Sequence, residues 1–126
     1  MTALYNDLRR AMLKNRNSLL WGSIDPDNVD GRKFFEFIGK DEVADKVFSR
    51  FMKYLKIAVV NVANLLRPDI ILIGGGVSAQ GDLIIKPLEE HLNNNLFARE
   101  YTDRISLASA KNGNDAGILG AASLVI

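Results

Sequence analysis

The sequence predicts an α/β chain in which a long helix leads into a strand, a helix, a second strand and a last helix. Three observations predict it. An apolar stripe with a 3.6-residue period runs between Asp41 and Pro68. A run with β-branched residues, Asp69-Ile70-Ile71-Leu72-Ile73, lies between Pro68 and Gly74-Gly75-Gly76. Such a run without alternation is expected of a strand covered on both faces, as in a parallel sheet. A second run, Arg104-Ile105-Ser106-Leu107-Ala108, follows after a helical segment. Strand, helix and strand in that order give adjacent parallel strands joined by a right-handed crossover.

The elements follow from local signals. Leu4, Leu8, Ala11 and Met12 recur at helical spacing, so Thr2 to Lys14 is expected to be an amphipathic helix. The next stretch, NRNSLLWGSIDPDNVDG, is rich in Asn, Asp, Gly and Pro and reads as loop, with Trp21 packing over it. Asp30 can cap a brief helix over Arg32–Ile38, stopped at Gly39. Asp41 can cap the long helix, whose stripe is Ala44, Val47, Phe48, Phe51, Leu55, Ala58, Val62, Leu65 and Leu66. Pro68 ends it, because a residue preceding proline leaves the α region. The second half, KIAVVNVANLL, is apolar nearly all round and is expected to be buried on more than one side. After the glycines, Val77 to Leu96 carries a helical set of Leu83, Ile84, Leu88, Leu92 and Leu96. Pro87 is placed in the first turn of the main helix there, with a short turn before it. A final helix, Ala116–Val125, is capped by Asn114 or Asp115.

Composition narrows the function. The chain has 126 residues, one domain or part of one, with a net charge of +1. That balance carries no general footprint for nucleic acid, an anionic membrane or an acidic substrate. Zero Cys excludes disulfides, thiolate metal sites and a Cys nucleophile, and a lone His91 argues against a His-cluster metal site or a Ser-His-Asp triad. No apolar run approaches the roughly 20 residues of a membrane span. The amino-terminal residues lack the apolar stretch of a signal peptide, so a cytoplasmic setting is expected.

The feature that points to chemistry is ILIGGGVS, positions 71–78. Glycine permits positive φ and removes Cβ, so a ligand can lie directly on the backbone. The N-terminus of a following helix favours phosphate, and α/β folds place ligands at the carboxyl ends of parallel strands. One glycine would serve a tight turn; three in succession read as a ligand surface. The pattern is neither GxxxxGK(S/T) nor GxGxxG. In NDAGILGAA, small residues four apart, Ala116 with Gly120 and Gly117 with Ala121, suit close packing, and Asp115 reads as a helix cap. His91, Glu89 and Glu90 read as a solvated face, as do Lys46, Arg50, Lys53 and Lys56. Asp25, Asp27 and Asp30 lack the remaining ligands of a calcium loop.

Together, LRPDIILIGGGVSAQGDLIIKPLEEHL and RISLASAKNGNDAGILGAASLVI resemble the C-terminal half of the ROK family of sugar kinases and repressors. FFEFIGKDEVADKVFSRFMKYLKIAVVNVANLLRPD is similar to the helices before that glycine motif, and TALYNDLRR to the segment after the family's zinc-binding loop. The resemblance implies part of an actin/hexokinase-like (ribonuclease H-like) fold, whose two α/β domains close over Mg-ATP and a sugar. It implies that residues 1–126 form one nucleotide-side subdomain, with Gly74, Gly75, Gly76, Val77 and Ser78 on the nucleotide. It also implies homodimer contacts; separately, an exposed strand edge or the apolar helices are expected to self-associate with a second copy, and the net charge of +1 supports no contact with nucleic acid by this portion.

The departures are as telling. The DxGGT phosphate motif, the ExxH sugar-binding region with its aspartate base, and the CxCGxxGCxE zinc segment have no counterpart. Phosphoryl transfer needs positioning, Mg²⁺ and a base near the sugar hydroxyl. The expectation is therefore a C-terminal portion, inactive alone, of a sugar kinase, with the effector-binding portion of a repressor or a non-catalytic dimerisation module as the alternatives.

Overall fold

The structure, a computed structural model, describes residues 2–111. The predicted final helix, with Asn114, Asp115 and the small-residue face after it, lies outside the described residues. The chain divides into two compact units, Met1–Lys53 and Tyr54–Ile126.

In the first unit, α1 covers Thr2–Lys14, as its periodicity predicts. Leu4, Leu8 and Met12, four apart, are buried. The expected loop contains a 3-10 turn, Leu19–Gly22, which seats Leu20 and Ile24 in the core. Trp21 packs over this segment: its indole N–H donates to the carbonyls of Met12 (3.1 Å) and Asn15 (3.2 Å), and the Arg16 guanidinium lies 5.0 Å from its ring centroid. Helix α2, Gly31–Glu36, begins where Asp30 accepts the Arg32 amide at 2.9 Å. It buries Phe34 and Phe35, whose rings meet edge-on at 5.2 Å.

Asp41 joins these pieces. One carboxylate oxygen accepts the amides of Val43 (2.9 Å) and Ala44 (3.0 Å), capping α3; the other accepts the Leu19 amide (2.8 Å) and the Ser18 hydroxyl (3.0 Å). Burial alone would raise its pKa. The hydrogen bonds from Ala44, Leu19, Ser18 and Val43 outweigh burial and hold it below its ordinary 3.8.

Helix α3 spans Glu42–Leu66, 25 residues. Its first half buries Ala44 and Val47 as predicted, with Phe48 and Phe51 half-buried. Its second half corrects the expectation. The buried line shifts to Met52, Val59 and Ala63, while Ala58, Val62, Leu65 and Leu66 are exposed, Leu65 at 82%. A segment apolar all round has no unique stripe, so periodicity could not choose the face.

In the second unit, β1 (Ile70–Ile73) pairs in parallel with β2 (Ser106–Ser109), Ile70 opposite Ser106 and Ile73 opposite Ser109. These two strands form the sheet of the described residues. Burial on both faces of β1 is not seen: Ile71 and Ile73 are half-buried, but Ile70 and Leu72 are exposed. Strand β2 starts two residues later than predicted. The Ile105 amide goes to Asn93 Oδ1 (2.9 Å), so the ladder begins with the Ser106 amide on the Asp69 carbonyl (3.1 Å).

Helix α4, Asp82–Asn94, packs Ile84, Leu88 and Leu92 inward, and Leu96 is buried just beyond it, whereas Leu83 is exposed. Pro87 falls in its second turn, not its first, because Gly81 delays the start. The Gly81 carbonyl accepts the amides of Ile84 (3.1 Å) and Ile85 (3.0 Å). Lacking an N–H, Pro87 leaves the Leu83 carbonyl without its usual donor.

Candidate functional site

The glycine run leaves the carboxyl end of β1 and enters a 3-10 turn, Ser78–Gln80, before Gly81 starts α4. The helix therefore does not follow the glycines directly, as the sequence suggested; a separate small turn stands between them. Gly75 has φ +77° and Gly81 has φ +49°, conformations that L side chains rarely adopt. A Cβ built on Gly75 would meet nothing within 4 Å. The glycine is thus required by backbone conformation, and the space beside it is open.

Gly74 and Gly76 are exposed, and Gly75 and Val77 half-buried. Among the described residues, no acceptor takes the amides of Gly74, Gly75, Gly76 or Val77. Backbone donors at a strand's carboxyl end can bind an electron-rich ligand without any side chain. Ser78 plays another part. It is buried at 8% exposure, and its hydroxyl donates to the Gly75 carbonyl at 2.7 Å, as does its amide at 3.1 Å. Its own carbonyl accepts the Ser109 hydroxyl at 3.2 Å. Ser78 thereby fixes the glycine turn and ties it to the end of β2.

Sequence reasoning missed the residues that hold this platform. Asn93 both accepts the Ile105 amide and donates to the Ile105 carbonyl at 3.0 Å, acting as one rung of a strand. Glu89 accepts the Leu107 amide at 2.9 Å. Glu89 is therefore half-buried and bound to β2, not part of a solvated face. The only hint in the sequence is their spacing: positions 89 and 93 lie four apart, on one side of α4.

The other candidates disperse. Asp25 accepts the Asp27 amide (2.9 Å), Asp27 pairs with Arg9 (2.6 Å), and Asp30 caps α2. The His91 Nδ1 lies 3.4 Å from the Asn95 amide nitrogen. Among the described residues, no group of His, Cys, Asp or Glu could hold a metal ion. On the basic edge of α3, Lys46 pairs with Glu42 at 2.6 Å, and Arg50 with Asp7 at 3.5 Å. A concavity of about 570 Å³ at the opposite, amino end of the strands is lined by Arg67, Asp69, Glu100, Asp103 and Arg104.

The ROK family model matches residues 4–126. A glucokinase from Halalkalibacterium halodurans is 40% identical over 68% of this chain and 26% of its own length. A glucokinase from Thermotoga maritima is 30% identical over 98% of this chain and 39% of its own. The crystal structure of a ROK family glucokinase from Streptomyces griseus, in complex with glucose and AMPPNP, superposes with a TM-score of 0.77 at 26% identity. That match covers 98% of this chain and 41% of the other. The chain thus spans about two-fifths or less of the relatives it matches.

Proposed function

This chain belongs to the ROK family, and from that premise we propose that it supplies the nucleotide side of an ATP-dependent sugar kinase. Its α/β fold is that of the ROK glucokinases. One observation carries the reading. The glycine turn, whose amides find no acceptor among the described residues, stands at the carboxyl end of a parallel strand in a chain whose fold matches a glucokinase solved with glucose and AMPPNP.

In this reading ATP supplies the phosphoryl group, and Gly74, Gly75, Gly76 and Val77 offer backbone N–H groups to the nucleotide. Ser78 holds those amides in place through Gly75. Residues 1–126 act as one nucleotide-side subdomain. Phosphoryl transfer also requires residues that hold the sugar, ligands for Mg²⁺ and a base for the hydroxyl proton, and this reading assigns none of these roles to the described residues. Both curated relatives named above are glucokinases, which favours the kinase over a repressor. The exposed Ile70 and Leu72 on β1 support self-association, through a second copy on that strand. No helix among the described residues is long and apolar enough to cross a membrane.

A coupled ATP-consumption assay with glucose, fructose and amino-sugars tests the division of labour. The chain alone is expected to show no turnover; clear turnover contradicts it. Calorimetric titration with AMPPNP tests the nucleotide side, with Gly75→Val as the control that abolishes binding.

A further inference from the structure

We propose that the groove between α1 and the amino-terminal part of α3 is a binding site for a small phosphorylated anion. It is a concavity of about 350 Å³, the scale of a small-molecule site. Its charged lining is Arg10, Lys14, Lys46 and Arg50 against a single carboxylate, Asp7. All of these lie in the Met1–Lys53 unit, so the site is independent of the glycine turn.

Sequence spacing builds it. Asp7, Arg10 and Lys14 fall three and four apart on one side of α1, and Lys46 and Arg50 four apart on α3. Local pairing offsets two of the four cations. Asp7 is already engaged by Arg50 at 3.5 Å, and Lys46 is held by Glu42 at 2.6 Å. Arg10 and Lys14 make no ion pair among the described residues. Ala11 and Val47 give the groove apolar walls, which strengthen the field of the cations around them. Guanidinium and ammonium groups converging on one concavity suit a phosphate, whose oxygens accept several charge-assisted hydrogen bonds at once. The concavity at the amino end of the strands makes the contrast: there Arg67 and Arg104 face Asp69, Glu100 and Asp103, a lining that repels anions.

The ligand chemistry is a phosphate group, free or carried on a sugar. Two-dimensional NMR of the full chain at low ionic strength separates these sources, using inorganic phosphate, a hexose 6-phosphate, and unphosphorylated hexose as the neutral control. Both phosphorylated probes are expected to shift the amides of Asp7, Arg10, Lys14, Lys46 and Arg50, with affinity falling as salt rises. Equal affinities identify free phosphate as sufficient; a tighter hexose phosphate identifies the phosphorylated sugar. The double variant Arg10→Ala, Lys14→Ala is expected to weaken binding by about tenfold or more, since each removes a charge-assisted contact. Both side chains are exposed, so the fold survives, and the unliganded spectrum verifies it. Lys53→Ala, outside the groove lining, should leave binding unchanged. No shift with either phosphorylated probe, shifts mapping elsewhere, or undiminished binding in the double variant overturns the proposal.

Discussion

The two units of this chain both bury apolar side chains, Ile84, Leu88 and Leu92 in the second among them, but they differ in how much apolar surface they leave exposed. In Met1–Lys53, the large side chains Leu8, Met12, Leu20 and Phe34 are fully buried, and Leu13 and Leu19 are the exposed exceptions. In the second unit, Ile57, Val62, Leu65, Leu66, Ile70 and Leu72 are all exposed among the described residues. The first unit is closed by local devices: a capping carboxylate, a 3-10 turn and an aromatic pair. Among the described residues the second has a two-stranded sheet, and a sheet so small rarely stands without further cover. The unit carrying the glycine turn is therefore the one whose surface asks for company.

Truncation of a fully buried side chain should give the largest effect, and the first unit offers the largest such side chain. Phe34→Ala removes a fully buried ring and is expected to cost about 3–5 kcal/mol by chemical denaturation. A cost below about 1 kcal/mol would show that the first unit is not the tightly packed one. Next in size is Asp41→Ala, which strands the Val43, Ala44 and Leu19 amides and should cost about 2–3 kcal/mol. The same residue gives a pH signature. Its carboxylate is held below its ordinary 3.8 in the folded state, so its contribution is complete above that value and is lost as pH falls through the lower folded value. Stability measured from pH 6 down to pH 2 should fall less steeply in Asp41→Asn than in the parent.

The polar ties and exposed positions of the second unit should give smaller effects. Glu89→Ala should cost about 1–2 kcal/mol and accelerate hydrogen exchange at Leu107, whose amide it holds. Leu65→Ser and Leu72→Ser, at exposed positions, should change stability by no more than about 0.5 kcal/mol yet reduce self-association in light scattering. A stable monomer at all concentrations in the parent chain would erase that side of the comparison.

How far the sequence revealed this contrast depended on whether the signal was local. Helix α1 and helix α3 match their predicted spans because their periodicity and the Asp41 cap of α3 are read within a few residues, whereas α2, capped by Asp30 as expected, runs Gly31–Glu36 and not Arg32–Ile38. The Gly74–Gly76 turn was legible for the same reason. The exposed face of α3 was not, because KIAVVNVANLL offers no polar side from which to choose. The roles of Glu89 and Asn93 depend on a strand twelve to eighteen residues away, and no local pattern encodes that pairing. Ser78 was read only as bordering a ligand; that its hydroxyl also closes the turn on the Gly75 carbonyl is a direction that one-dimensional spacing does not carry.

The central claim is that the exposed amides of the glycine turn face a nucleotide. Backbone amide NMR of this chain, titrated with AMPPNP in the presence of Mg²⁺, tests it most directly. The account predicts that the resonances of Gly74, Gly75, Gly76 and Val77 shift together and saturate, and that the shifts vanish in Gly75→Val. Unmoved glycine resonances while residues elsewhere respond, or shifts that persist in Gly75→Val, would contradict it.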